Sequence, residues 1–499
     1  MHNSRNIVLI SLLIIGILVI LLAWNPAANR QKTSEHPILV YCAAGMKPPV
    51  DVVAKKYEEE YGTPIRLQYG GSGTLLNNLR IAGKGDLYLA ADETYIKMAR
   101  DRGLVEEAIP LATVHPVIVV RKGNKKGIHS VTDLLRKDVS IGLGNPSAAS
   151  VGRVTKKILE GSGLWKKIEA HTRVFKPTVN DIANDVKIGS VDAGIVWDAV
   201  ARQYDDLEIV EFPEGRKAVQ RITIGVLKTS DSPTAALRFA RYLGARDRGL
   251  PEFKREGYEP VDGDIWEEVP KLVLFSGGVN RLAIEDTIKR FEKREGAEIT
   301  RVYNGCGILV AQMKTGKIPD AYFACDVSFM DQVADLFYDP INVAETDMVI
   351  VVPKGNPKKI LSLADLTGQG LKIGLANPKQ SALGALTVRL LKGAGLLDAV
   401  EKNVVVKTPT ADLLINQIRT GSLDAVIVYR ANTPYVRDDL DLVSIDLPNA
   451  TAIQPYAVCR NSPHKYLMQR LLKAIESEQS KNLFKEIGFR IQKELGNSS

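Results

Sequence analysis

The chain is poor in the residues that build metal and redox chemistry. It has four cysteines (Cys42, Cys306, Cys325 and Cys459) and six histidines in 499 residues. Four scattered cysteines are too few for a disulfide-held scaffold, and no CxxC pair occurs. With no HExxH run and no Cys/His cluster, no metal site is expected. There is no phosphate-cradling GxxxxGK[ST], no GxSxG and no kinase signature. A cysteine nucleophile at Cys306 would need a base, and the only histidine in the second half, His464, has no motif tying it to Cys306. No catalytic residues are therefore expected, and the chain is not read as an enzyme. The net charge of +8 suits anionic partners. Base-stacking aromatic motifs, paired zinc ligands and a basic helix are lacking, so nucleic acid is not expected among them.

What is present is ordinary globular composition, 45% hydrophobic and 25% charged, over a length that implies more than one domain. One long apolar run stands out, Ile7 to Trp24, preceded by Arg5. It is just long enough to span a bilayer. No clean A-x-A site follows it, and no cysteine that would accept a lipid. Residues 1–36 are read as an N-terminal signal anchor and tether, with an uncleaved anchor favoured over a cleaved signal. The rest is then exported, attached to a membrane through this segment. So few residues precede the run that no cytoplasmic signalling domain is expected.

The strongest signal is an internal repeat. Val117-Ile-Val-Val-Arg-Lys-Gly-Asn124 recurs as Val349-Ile-Val-Val-Pro-Lys-Gly-Asn356. Gly142-Leu-Gly-Asn-Pro146 recurs as Gly374-Leu-Ala-Asn-Pro378, and Gly189-Ser-Val-Asp-Ala193 as Gly421-Ser-Leu-Asp-Ala425. All three pairs share one offset, 232 residues (349−117, 374−142, 421−189). Tyr69-Gly-Gly-Ser-Gly73 answers Tyr303-Asn-Gly-Cys-Gly307 at 234. So long a period means two whole domains. Their bounds are read as 37–260 and 271–490, with a linker at 261–270 and a tail at 491–499.

Each copy alternates strands and helices. Ile38-Leu-Val-Tyr41 reads as a buried strand ending in small residues, followed by a helix with Val50, Val53, Ala54, Tyr57 and Tyr61 on one face. Ser130 and Ser362 read as helix caps, as do Asp92 and Asp326. Such alternation implies a doubly wound, mostly parallel α/β sheet. These sheets bind ligands beyond the carboxyl ends of their strands, where helix N-termini offer free N–H groups to an anion.

The ordered motifs are aromatic-x-x-Ser-Gly-x-Leu, Asp-x-[YF]-[LF]-Ala-x-Asp, V-I-V-V-x-K-G, G-x-x-N-P and G-S-x-D-A-x-I-V-aromatic. In this order and spacing each copy resembles the periplasmic molybdate- and tungstate-binding proteins of ABC transporters, in the type II periplasmic-binding-protein superfamily. The resemblance covers nearly all of 37–490. It implies two tandem modules, each of two doubly wound α/β lobes joined by two crossing strands. It also implies a small oxyanion, molybdate- or tungstate-like, bound in the cleft with no cofactor, and an ABC-type permease as partner. A membrane-anchored ligand sensor or adaptor, with one or both sites vestigial or binding another small anion, is the alternative.

Carried over residue by residue, the second-loop serine falls on Ser72 and Cys306. The alanine before the strand-end aspartate falls on Ala91 and Cys325. The backbone donor of the Asn-Pro loop falls on Ala149 and Ser381, and the late tyrosine on Trp197 and Tyr429. The first-loop serine falls on Gly45 and Val279. That loop is expected to contribute Ala44 and Gly45 in copy one, and Ser276 and Gly277 in copy two, with Ser276 a partial replacement for the lost hydroxyl. Cys306 and Cys325 could pair as a disulfide if their loops meet in an oxidising compartment.

Overall fold

The computed structural model describes residues 36–492. The apolar run Ile7 to Trp24 lies outside the described residues. Among the described residues no helix is long and apolar enough to cross a membrane. The chain divides into two compact units, Met1–Val261 and Asp262–Ser499. The stretch read as a linker is fastened at both ends. Val261 N donates to Leu111 O at 3.0 Å in the first unit. In the second, Asp264 accepts the N–H groups of Tyr466 and Leu467, both at 2.9 Å.

In the first unit the strands are β1 (Ile38–Ala43), β2 (Ile65–Gly70), β3 (Leu87–Ala90), β4 (Val105–Val114), β5 (Pro116–Arg121), β6 (Ile141–Gly144), β7 (Thr172–Lys176), β8 (Ala193–Trp197), β9 (Leu207–Val210), β10 (Gln220–Leu227) and β11 (Glu259–Pro260). One sheet has the order β11-β4-β10-β3-β1-β2 and the other β7-β6-β8-β5-β9. The strands β1, β2 and β3 run parallel, as do β6, β7 and β8. The strands β3, in the first sheet, and β6 and β8, in the second, are buried throughout. This is why they read as unbroken apolar runs rather than alternating ones. The chain crosses between lobes twice, at β4–β5 and again from β9 to β10.

The second unit repeats this plan. Lys271–Gly277 pairs in parallel with Glu298–Asn304 and with Ala321–Phe323. Its first crossing is one unbroken strand, Ile341–Pro353. The first half pairs with Thr451–Val458 and the second half with Ala425–Tyr429 and Leu440–Ser444. A clamp holds the middle of this strand. Arg490 donates from Nε to Glu345 at 2.8 Å and from Nη2 to Asp347 at 2.8 Å. The Arg490 hydrogen bonds hold the Asp347 carboxyl below its ordinary range, against the opposing effect of burial. A lowered folded pKa contributes stability above the ordinary aspartate value, about 3.9, and that stability is lost as pH falls through the lowered one. Hydrogen exchange at 490–492 is therefore expected to accelerate below about pH 4. Arg490→Ala should make exchange fast at neutral pH and remove the acid step.

Candidate ligand-binding cleft

The first loop of module one follows β1. Tyr258 donates its hydroxyl to Gly45 O at 2.5 Å. A Cβ on Gly45 would lie 3.0 Å from Val200 and 3.2 Å from Val179, both from the other lobe. A serine here would press on this wall of valines, which would have to give by a few tenths of an ångström to admit it. Ala44 beside it is half-buried.

The second loop opens the helix Ser72–Ala82. Ser72 is 1% exposed, and its Oγ accepts the Ala91 N–H at 3.2 Å. Two predicted site residues are thus brought together by β2 and β3 ending side by side on β1. The loop's glycines are required by close approach. A Cβ on Gly73 would lie 2.1 Å from Ser147 O, and one on Gly71 would lie 2.2 Å from Pro177 O, both in the opposite lobe. Across the gap Gly73 N donates to Ala148 O at 2.8 Å.

In the Asn-Pro loop the structure departs from the expectation. Ala149 was carried over as a backbone donor, but its N–H donates to Asn145 O at 2.8 Å, within its own loop. Ser381 does the same in module two, to Asn377 O at 2.9 Å. An Asn-Pro turn that leads straight into a helix engages this amide itself. Trp197 ends β8, is 1% exposed and precedes the helix Asp198–Arg202 that carries Val200.

Asp92 does more than cap. It accepts the Thr94 N–H at 2.8 Å, as the sequence implies. It also accepts Ser150 Oγ at 2.5 Å and Arg153 Nη2 at 2.8 Å, both from the other lobe. Asp92 is fully buried. This is a charged latch across the cleft of module one. Module two has Ala382 and Ala385 at the corresponding positions (150 + 232 and 153 + 232). There Asp326 bonds locally, to Ser328 N at 3.0 Å and Oγ at 2.5 Å.

In module two the interlobe cleft has a volume of about 310 Å³, including space open to solvent, and Cys325, Ser381, Tyr429, Asp412 and Asn432 line it. The Tyr429 hydroxyl is buried with no hydrogen-bond partner. Burial, with a smaller contribution from the Asp326 charge, holds this phenol well above its usual range, so it is a neutral donor. Ser276 does not reach the cleft. It is fully buried and donates to Gly277 O at 3.3 Å, so it does not replace the lost hydroxyl. Its position at the strand end turns it to the main chain. Cys306 Sγ lies 3.0 Å from Cys325 N, matching Ser72 and Ala91, and the two cysteines form a disulfide.

Sequence reasoning missed the opposite wall. Pro409, Thr410 and Asp412 line the cleft of module two. A Cβ on Gly305 would lie 2.7 Å from Pro409 O, as Gly71 meets Pro177 in module one. The signal was present: Pro177-Thr178 recurs as Pro409-Thr410 at the shared offset of 232 (409−177). At the next cleft position the modules differ in charge. Module one has Asn180, whose buried Oδ1 has no partner, and module two has Asp412 (180 + 232). An anion in the second cleft would face a carboxylate absent from the first. Among the described residues no group of three or more His, Cys, Asp or Glu side chains is placed to hold a metal ion.

Two α/β lobes, two crossing strands and loops meeting across a cleft define a two-lobed solute-binding module, present here twice. The chain belongs to the bacterial extracellular solute-binding protein family, whose model matches residues 38–259 and again 272–490. It is 30% identical over 225 residues to a protein of Haemophilus influenzae named only as a binding protein, covering 45% of this chain and 91% of that one. It is 26% identical over 226 residues to the molybdate-binding protein ModA of Mycobacterium tuberculosis, covering 45% and 84%. Among solved structures, the periplasmic molybdate-binding protein of Azotobacter vinelandii aligns at 19% identity with a TM-score of 0.38, covering 44% of this chain and 98% of that one.

Proposed function

We propose that the chain is an extracytoplasmic receptor that captures a tetrahedral oxyanion, molybdate or tungstate, in the cleft of its first module. It then hands the anion to an ABC-type membrane permease, with Ile7 to Trp24 as export signal or anchor. The observation that carries this reading is Ser72. It is buried at a helix N-terminus, and its oxygen already accepts the Ala91 amide. No acceptor is found for its hydrogen among the described residues, which leaves that donor for a bound anion. The helix terminus adds a favourable field for an anion. The neutral Asn180 wall and the molybdate-binding names of relatives support the same ligand class.

Ser72→Ala in the full chain tests this. A hydrogen bond to a charged group is worth about 1.5–3 kcal/mol, so molybdate affinity should fall roughly ten- to a hundredfold with the fold intact. Unchanged affinity by calorimetry, with an unchanged circular dichroism spectrum, would refute the assignment.

A further inference from the structure

Three positions differ together between the modules at the inner end of the cleft. At one offset, 234, Ala43, Ser72 and Ala91 of module one become Gly277, Cys306 and Cys325 (277−43, 306−72, 325−91). The strand registers agree with that alignment, since Ala43 pairs with Gly70 and Gly277 with Asn304. The cysteines replace Ser72 and Ala91, which are joined by the Ala91 N–H to Ser72 Oγ hydrogen bond, and their sulfurs are bonded, with Cα atoms 6.4 Å apart. The glycine is explained by the bond. A Cβ at 277 would lie 2.1 Å from Cys325 Sγ and 3.1 Å from Cys306 Sγ. Gly277 has φ −57°, which any residue adopts, so its backbone does not require glycine. Removing the Ala43 methyl makes the space that the second sulfur fills. Three linked substitutions mark a built disulfide.

We propose that this disulfide is a redox gate on the second cleft, which rests on both modules binding an oxyanion in the same place. In the oxidised form Cys306 has no hydrogen to donate, and its sulfur accepts the Cys325 N–H. The Ala91 amide is engaged in the same way in module one, so what the disulfide withholds is the one donor that the Ser72 hydroxyl brings there. Cys325 lines the cleft, and Cys306 is fully buried. An incoming dithiol attacks Cys325 Sγ through its thiolate, forming a mixed disulfide and releasing the Cys306 thiolate, which takes up a proton. The second thiol of the reductant then displaces Cys325 as a thiol and leaves as the cyclic disulfide. Two electrons and two protons pass to the protein. The reduced cleft regains an S–H donor, a weaker one than the Ser72 hydroxyl.

The full chain, isolated in air, should carry two maleimide-reactive thiols when denatured, Cys42 and Cys459, and four after dithiothreitol. After the reductant is removed anaerobically, titration with tungstate should show a second equivalent, at least tenfold weaker than the first, that disappears on reoxidation. Exchange at 305–309 should quicken on reduction. Gly277→Ala should leave four free thiols in air. The transplant gives a positive test independent of that variant's folding. Ser72→Cys with Ala91→Cys should bridge in module one only when Ala43→Gly is added. Four free thiols in the native chain, bridging without Ala43→Gly, or tungstate binding and exchange unaltered by reduction would overturn the proposal. If module one fails to bind tungstate in either state, the oxyanion reading fails, while thiol counts and exchange still decide the gate.

Discussion

Arg153→Ala is expected to release the first module from its closed form. The change strips from a fully buried carboxylate, Asp92, the one cation paired with it among the described residues, leaving it Ser150 and the Thr94 amide. Breaking such a pair from one side costs about 3–5 kcal/mol, because the remaining charge stays desolvated. Opening the cleft rehydrates Asp92, so much of that cost should appear as a shift toward the open form rather than as global unfolding. Molybdate affinity should then fall by up to two or three orders of magnitude, since binding must first restore closure. Hydrogen exchange at 70–75 and 147–153 would report the opening, and calorimetry the affinity. Affinity and exchange both unchanged would show that the pair contributes nothing to closure.

The second large effect is expected in module two. Glu295 and Arg470 form a two-pronged ion pair, Nε to Oε1 at 2.7 Å and Nη2 to Oε2 at 3.0 Å. Glu295 is 1% exposed and Arg470 7%. The pair fastens the end of the helix Arg281–Glu295 to the helix Lys465–Ile475. Arg470→Ala should destabilise the module by about 3–5 kcal/mol, lowering its melting temperature by on the order of 10 °C. Module one shows the alternative solution. At the corresponding places Arg238 lies over the Tyr61 ring at 4.5 Å. Glu295→Tyr should accordingly recover part of what Glu295→Ala loses, as read by thermal unfolding.

The repeat made most of this architecture legible. A shared offset over separated blocks identified two modules, and small residues at strand ends located the loops that meet at the cleft. Ser72 and Ala91 were readable because both sit in motifs at the carboxyl ends of the parallel strands that flank β1. Arg153 was not, because it lies 61 residues from Asp92 and has no counterpart in the second copy. A charge pair across two lobes leaves no local pattern. The orientation of Ser276 was hidden for another reason: side chains on a strand alternate faces, and a shift of three residues from the motif position turned the hydroxyl to the main chain. The pairing of Cys306 with Cys325 was visible as an option, but the geometry that joins them depends on Gly277, at the end of the strand that lies between the two motifs.

The central claim is that the first cleft is the oxyanion site. Calorimetric titration of the full, air-oxidised chain with molybdate, tungstate and sulfate tests it most directly. Tight binding of molybdate or tungstate at one equivalent is expected, strongly weakened by Ser72→Ala and by Arg153→Ala. No heat with any of the three anions, or one equivalent of binding untouched by either variant, would contradict it.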